Sequence, residues 1–112
     1  TITDVPSDIK NTVKLAQTTF DDIDYFVFHQ ANKFMTNHFC KKLKIPLDKV
    51  SYSLHKFGNT ASFSIPLTIV SELKGQLNGT KKLLMSGFGI GLSWGTVVTE
   101  VDNCTICELL EI

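Results

Sequence analysis

The sequence predicts a layered α/β fold with helices on both faces of a mixed sheet, on three observations. Residues 25–28, Tyr-Phe-Val-Phe, form a continuous apolar run that reads as a strand buried on both faces. Stretches with helical periodicity alternate with stretches of strand character along the chain. The last two strands are joined by a short glycine-rich link and therefore pair antiparallel. The predicted order is α-β-α-β-α-β-β.

The first helix, residues 6–18, rests on Ile9, Val13, Ala16 and Phe20 at helical spacing, with Asp4 or Ser7 as its cap. Asp21-Asp22-Ile23-Asp24 is a polar turn into the buried strand, about residues 24–29. The next helix, residues 31–43, has the clearest pattern. Ala31, Met35, Phe39 and Leu43 form its apolar row with Phe34 beside them, and Lys33, Asn37, Lys41 and Lys44 take the other side. Lys42 falls near the apolar face and would have to snorkel. Ile45-Pro46 ends this helix, because the residue before a proline avoids the α region.

Residues 49–54 read as a short strand, and residues 61–77 as a long helix with Ile65, Ile69, Leu73 and Leu77 in its core row. Pro66 leaves two options: a start near Ser64 with the proline in the first turn, or a start near Thr60 with a kink. Residues 81–88 and 96–101 are the closing strands, and Trp94 is read as core.

The totals narrow the classes of function. A chain of 112 residues makes one domain. Its 43% hydrophobic content fits a packed core rather than disorder. Eleven basic and eleven acidic residues cancel, and no basic stripe interleaves with aromatics, which argues against nucleic acid as a partner. Near-zero net charge favours self-association. No apolar run reaches the length of a membrane span, so no membrane partner is expected. The first ten residues lack a signal peptide's basic start and apolar block, and three cysteines make no disulfide framework, so the expected location is cytoplasmic.

Two residues carry the chemistry. His29 ends the buried strand, where α/β sheets place their sites. It is either a histidine satisfied by local backbone or a neutral imidazole whose Nε2–H donates to a developing oxyanion. Asn59 follows Gly58 and is either a turn and helix-cap residue or a second donor converging on the same point. Gly89-x-Gly91 begins like a dinucleotide fingerprint, but position 94 is Trp and a strand follows, so no such site is read there. Cys104-x-x-Cys107 lacks the partners of a zinc site, and no metal is expected.

Three stretches occur in order: His29-Gln30-Ala31-Asn32, then Gly58-Asn59-Thr60 with Pro66 beyond it, then Gly87-Phe88-Gly89-Ile90-Gly91 running to Trp94-Gly95. Together they resemble the C-terminal half of the β-ketoacyl-acyl-carrier-protein synthase III family, over about residues 5–102. The resemblance implies the C-terminal half of a thiolase-like fold, layered α/β/α. Family members are much longer, so residues 1–112 read as a single domain whose N-terminal half is absent from this chain.

By the same resemblance the whole protein would be an acyltransferase that condenses an acyl thioester with a malonyl thioester, with loss of carbon dioxide, in fatty-acid or related biosynthesis. His29 and Asn59 would stabilise the enolate, Phe88, Gly89 and Gly91 would border the substrate, and the nucleophilic cysteine would lie in the missing half. No cofactor is implied beyond coenzyme A or phosphopantetheine thioesters as substrates. Implied partners are acyl carrier protein, acyl-coenzyme A and a second copy of the protein, with Lys33 and Phe34 at the carrier or coenzyme A contact. The sequence departs from the family at Phe34, where arginine is usual, at Ala61, where serine is common, and at Phe63, where a small residue is usual. These last two would reshape the pocket. The departure at Phe34 motivates an alternative, a non-catalytic module for dimerisation or carrier docking; acyl transfer without condensation is a further one.

Overall fold

The computed structural model describes residues 4–89 and 93–110. Its centre is a three-stranded sheet in the order β1 (Tyr25–Phe28), β2 (Thr80–Gly89), β3 (Ser93–Asp102). β1 and β2 run parallel, with Tyr25 opposite Leu83 and Phe28 opposite Ser86. β2 and β3 run antiparallel over their whole length, from Thr80 opposite Asp102 to Gly89 opposite Ser93. The sheet is therefore mixed, as the glycine-rich link predicts.

Strand alternation divides the core into two. On one face Phe26, Phe28 and Leu84 pack against α1 (Asp4–Leu15) and α2 (Lys33–Leu43), through Val5, Ile9, Val13, Phe39, Cys40 and Leu43. On the other, Val27 and Leu83 pack with Leu73 and Leu77 and with Ile65 and Ile69 of α4 (Ser64–Glu72). A strand covered on both faces needs apolar residues at every position, which is why residues 26–28 are all fully buried.

α1 stops earlier than its periodicity suggests. Gln17 takes the left-handed conformation (φ 54°), and the Thr18 N–H donates back to the Val13 carbonyl, closing the helix end. Ala16 is consequently exposed, and Phe20 sits in a separate helical turn, Phe20–Asp22, from which its ring stacks on Phe26. Ser7 lies inside α1 rather than before it, and Asp4 is its first described residue.

α2 starts after Asn32, whose side chain accepts the Met35 N–H at 2.8 Å, and ends at Lys44 in the left-handed region. Lys42 projects into solvent and does not snorkel. Phe34 is 72% exposed, outside the apolar row it adjoins in sequence.

The strand expected at residues 49–54 does not form. Val50 makes a single bridge to Phe26, after which the chain turns into α3 (Leu54–Phe57). Where the ladder would continue, the Gln30 side-chain oxygen instead accepts the N–H groups of both Ser53 and Leu54 at 3.1 Å.

Pro66 is a first-turn residue of α4, preceded by the turn Ala61–Phe63, which decides between the two options for this helix. α4 ends at Glu72, and Leu73 and Leu77 continue the core row from the turn that follows. Trp94 is not core. It stands at the start of β3, the edge strand, belongs to neither buried cluster and is 41% exposed.

Candidate functional site

The parallel pairing of β1 and β2 puts their carboxyl ends side by side, and a cleft of about 510 Å³ opens there. His29, Gly87, Phe88 and Gly89 line it from the strand ends. Asn59, Ala61, Ser62, Ser64 and Ile65 line it from the loop and first turn of α4. Thus the chain brings together His29, Asn59, Phe88 and Gly89 in one concave surface, although the first two are far apart in sequence.

His29 is held at every level. Its backbone N–H donates to the Ser86 carbonyl at 2.9 Å, extending the β1–β2 ladder by one bond. The ring meets Phe88 edge-on, with centroids 5.3 Å apart, and Phe88 meets Phe39 in the same way. Nδ1 lies 2.5 Å from the Ser64 hydroxyl oxygen. Burial lowers the imidazole pKa from its ordinary 6.5, because a charged ring is poorly solvated there. The neutral form therefore dominates at neutral pH.

Of the residues after His29, Gln30 and Asn32 are structural. Gln30 is buried and donates through Nε2 to the Phe28 carbonyl at 2.8 Å while its oxygen holds Ser53 and Leu54. Asn32 caps α2. Asparagine just ahead of a helical pattern is a readable cap signal, and it would have moved the predicted start of this helix past residue 31. Ser64 is also absent from the sequence-derived site. Its neighbourhood to His29 depends on how α4 meets β1, which residue spacing does not encode.

Asn59 sits on the exposed loop after Gly58, whose backbone (φ 68°, ψ −160°) lies in a region essentially reserved for glycine. The Asn59 side-chain oxygen accepts the Ala61 N–H at 2.9 Å. That bond occupies the oxygen and leaves the NH₂ as the free, donating end of the amide. Ala61 completes this turn at φ 54°.

Other residues expected near the site fall elsewhere. Phe63 is 72% exposed and lines a separate apolar groove with Pro66, Leu67 and Val70, so it does not shape the His29 cleft; Ala61 does. Gly91 lies outside the described residues. Lys33 and Phe34 are exposed on the first turn of α2, with Lys33 Nζ 5.9 Å from the centre of the Tyr52 ring. Cys40 is a buried α2 residue whose thiol pKa is pushed up to about 11 by that burial, so it is an inert thiol. Cys104 and Cys107 are free and exposed in the C-terminal segment.

The chain is similar to known proteins over most of its length. Residues 13–101 match the family model described as 3-oxoacyl-[acyl-carrier-protein (ACP)] synthase III C terminal. The chain is 41% identical over 104 residues to a β-ketoacyl-[acyl-carrier-protein] synthase III of Streptococcus gordonii, covering 89% of this chain and 32% of that protein. It superposes on the 3-oxoacyl-(acyl-carrier protein) synthase of Burkholderia xenovorans with a TM-score of 0.91 at 39% identity, over 96% of this chain and 31% of that one. The corresponding enzyme of Aquifex aeolicus gives 0.83 at 30% identity, over 87% and 32%. The chain thus spans about a third of the length of the relatives it matches. Its layers and mixed sheet are those of the C-terminal half of a thiolase-like fold.

Proposed function

We propose, for a chain that belongs to the 3-oxoacyl-[acyl-carrier-protein] synthase III C-terminal family, that it forms the enolate-stabilising part of a decarboxylating, carbon–carbon bond-forming acyltransferase. The observation that carries this reading is that His29 and Asn59, thirty residues apart in sequence, line the same cleft.

In the proposed reaction a malonyl thioester binds with its thioester carbonyl between the two side chains. The bond to the carboxylate breaks, carbon dioxide leaves, and the electron pair moves onto the carbonyl oxygen as an enolate. The imidazole and amide N–H groups meet that charge as it develops, already oriented and partly shielded from water. The enolate carbon then attacks an acyl thioester carried on a cysteine. A carbon–carbon bond forms, the thiolate leaves, and a 3-ketoacyl thioester is released. Cys40 is too buried and too weakly acidic for this nucleophile, and Cys104 and Cys107 do not line the cleft. Another segment of the protein supplies it.

Gly87 and Gly89 keep the strand side of the cleft low, so that a thioester approaches the backbone closely, with Phe88 beside it. Lys33 and Phe34, exposed at the start of α2, are the proposed contact for the phosphates of coenzyme A or for an acidic acyl carrier protein. The substrates are thioesters, and no further cofactor is needed for these steps. A homodimer acting in the cytoplasm on fatty-acid or related precursors completes the reading.

The test is malonyl decarboxylation by the full-length protein carrying Asn59→Ala. Loss of one such donor lowers the rate about 100–1000-fold. An unchanged decarboxylation rate would overturn the assignment and favour a non-catalytic docking module.

A further inference from the structure

We propose that Ser64 is a positioning residue that sets the protonation of His29: its hydroxyl donates to Nδ1, so the ring carries its proton on Nε2. Distance alone leaves the direction of this hydrogen bond open, since both atoms can donate or accept. The surroundings decide it.

Ser64 is 1% exposed, so solvent does not receive its proton. Among the described residues the Ser64 hydroxyl meets one partner, His29 Nδ1. The neighbouring hydroxyls are committed to each other and to backbone. Thr68 Oγ1 lies 2.6 Å from the Ser64 carbonyl and donates to it, and it stands 2.7 Å from Ser53 Oγ, which is then the donor of that pair. Both Thr68 and Ser53 are buried.

Two alternatives fail on the same count. With the proton on Nδ1, the ring would donate to Ser64, and the serine's own proton would be buried without an acceptor. With both nitrogens protonated, the same conflict would arise and a charge would be buried as well. Only the neutral Nε2–H form gives the buried Ser64 proton an acceptor. It also leaves Nε2, as a donor, for the cleft. A helix that begins at Ser64 thereby does two things: its first turn walls the cleft, and its first side chain orients the imidazole opposite.

The catalytic consequence rests on the enolate reading above, whereas the tautomer does not. The two are therefore measured separately, in the full-length protein labelled with ¹⁵N-histidine, with the His29 signals assigned by their loss in His29→Asn. At a pH above the imidazole titration, the unsubstituted protein is expected to show a protonated Nε2 and a bare Nδ1. Ser64→Ala is expected to give a mixture of the two tautomers and a fall of about 10–100-fold in kcat for malonyl decarboxylation, with KM little changed. Ser64→Thr keeps a hydroxyl and should restore both.

A proton on Nδ1 in the unsubstituted protein overturns the proposal, even if Ser64→Ala fails to fold. So does a Ser64→Ala protein with unchanged nitrogen signals. If the tautomer shifts as expected but no form of the protein decarboxylates malonyl thioesters, the Ser64 assignment stands and the enolate reading falls.

Discussion

His29 and Asn59 face the same cleft but are held there by opposite means. The histidine ends a strand whose preceding residues are fully buried, and its ring is fixed by Phe88 and Ser64. The asparagine stands on an exposed loop and is fixed by a glycine conformation and by a bond within its own turn. One donor takes its position from the core of the domain, the other from local backbone geometry. Damage to either should therefore look different: core damage reaches His29 through packing, whereas backbone strain reaches Asn59 directly.

The largest expected effect tests the core-held side. Phe39 packs on Phe28 and on Phe88, the ring that touches His29. Phe39→Ala should lower the stability of this region by about 3–5 kcal/mol, read as a fall in denaturant midpoint. It should weaken decarboxylation through His29 as well. A normal midpoint would mean that Phe39 does not anchor that side.

A smaller effect tests the loop-held side. Nothing lies within 4 Å of a methyl group built on Gly58, so Gly58→Ala meets no clash. The cost comes from its positive φ alone, about 1–3 kcal/mol, relieved by a local shift that carries Asn59 with it. The expected signature is a reduced decarboxylation rate with unchanged His29 nitrogen signals. Equal disturbance of both donors would break the comparison.

The smallest effect is on pH. Burial holds the folded His29 pKa below 6.5, so between that lowered value and 6.5 the unfolded chain binds more protons than the folded one. Stability contributed by the neutral ring is present above 6.5 and is lost as pH falls through this window. The acid limb of the rate profile should have its midpoint below 6.5. Asn59→Ala should lower the profile without moving that limb, because an amide does not titrate. A midpoint above 6.5 would contradict the burial of His29.

Much of this was legible from residue pattern. The run at residues 25–28 declares a doubly covered strand, and the glycine-rich link declares the antiparallel pair, because both depend on local sequence. His29 stands at the end of that strand as the pattern predicts, and its proposed role rests on the three stretches read together. What was missed depends on contacts between distant segments. The stretch at residues 49–54 has strand-like composition, yet Gln30, more than twenty residues earlier, captures its N–H groups. Ser64 looks like an ordinary first-turn serine until α4 is laid beside β1. Trp94 has the composition of a core residue, but an edge strand has fewer neighbours to bury it.

The parallel pairing of β1 and β2 also sets a timetable for making the protein. Tyr25 must wait for Leu83, 58 residues later, whereas Gly89 and Ser93 are almost adjacent. At ribosomal speeds of about 5–20 residues per second, β1 is synthesised roughly 3–12 s before its partner exists. The β2–β3 hairpin, once made, closes within about 1–10 μs. During that interval Tyr25–Phe28, rich in aromatic residues and without a charge, lacks the β2 strand it pairs with, a state in which nascent chains stick to one another. The strand that ends at His29 is thus open to such contacts while β2 is being made, and the cleft at its carboxyl end forms only once β2 has joined it.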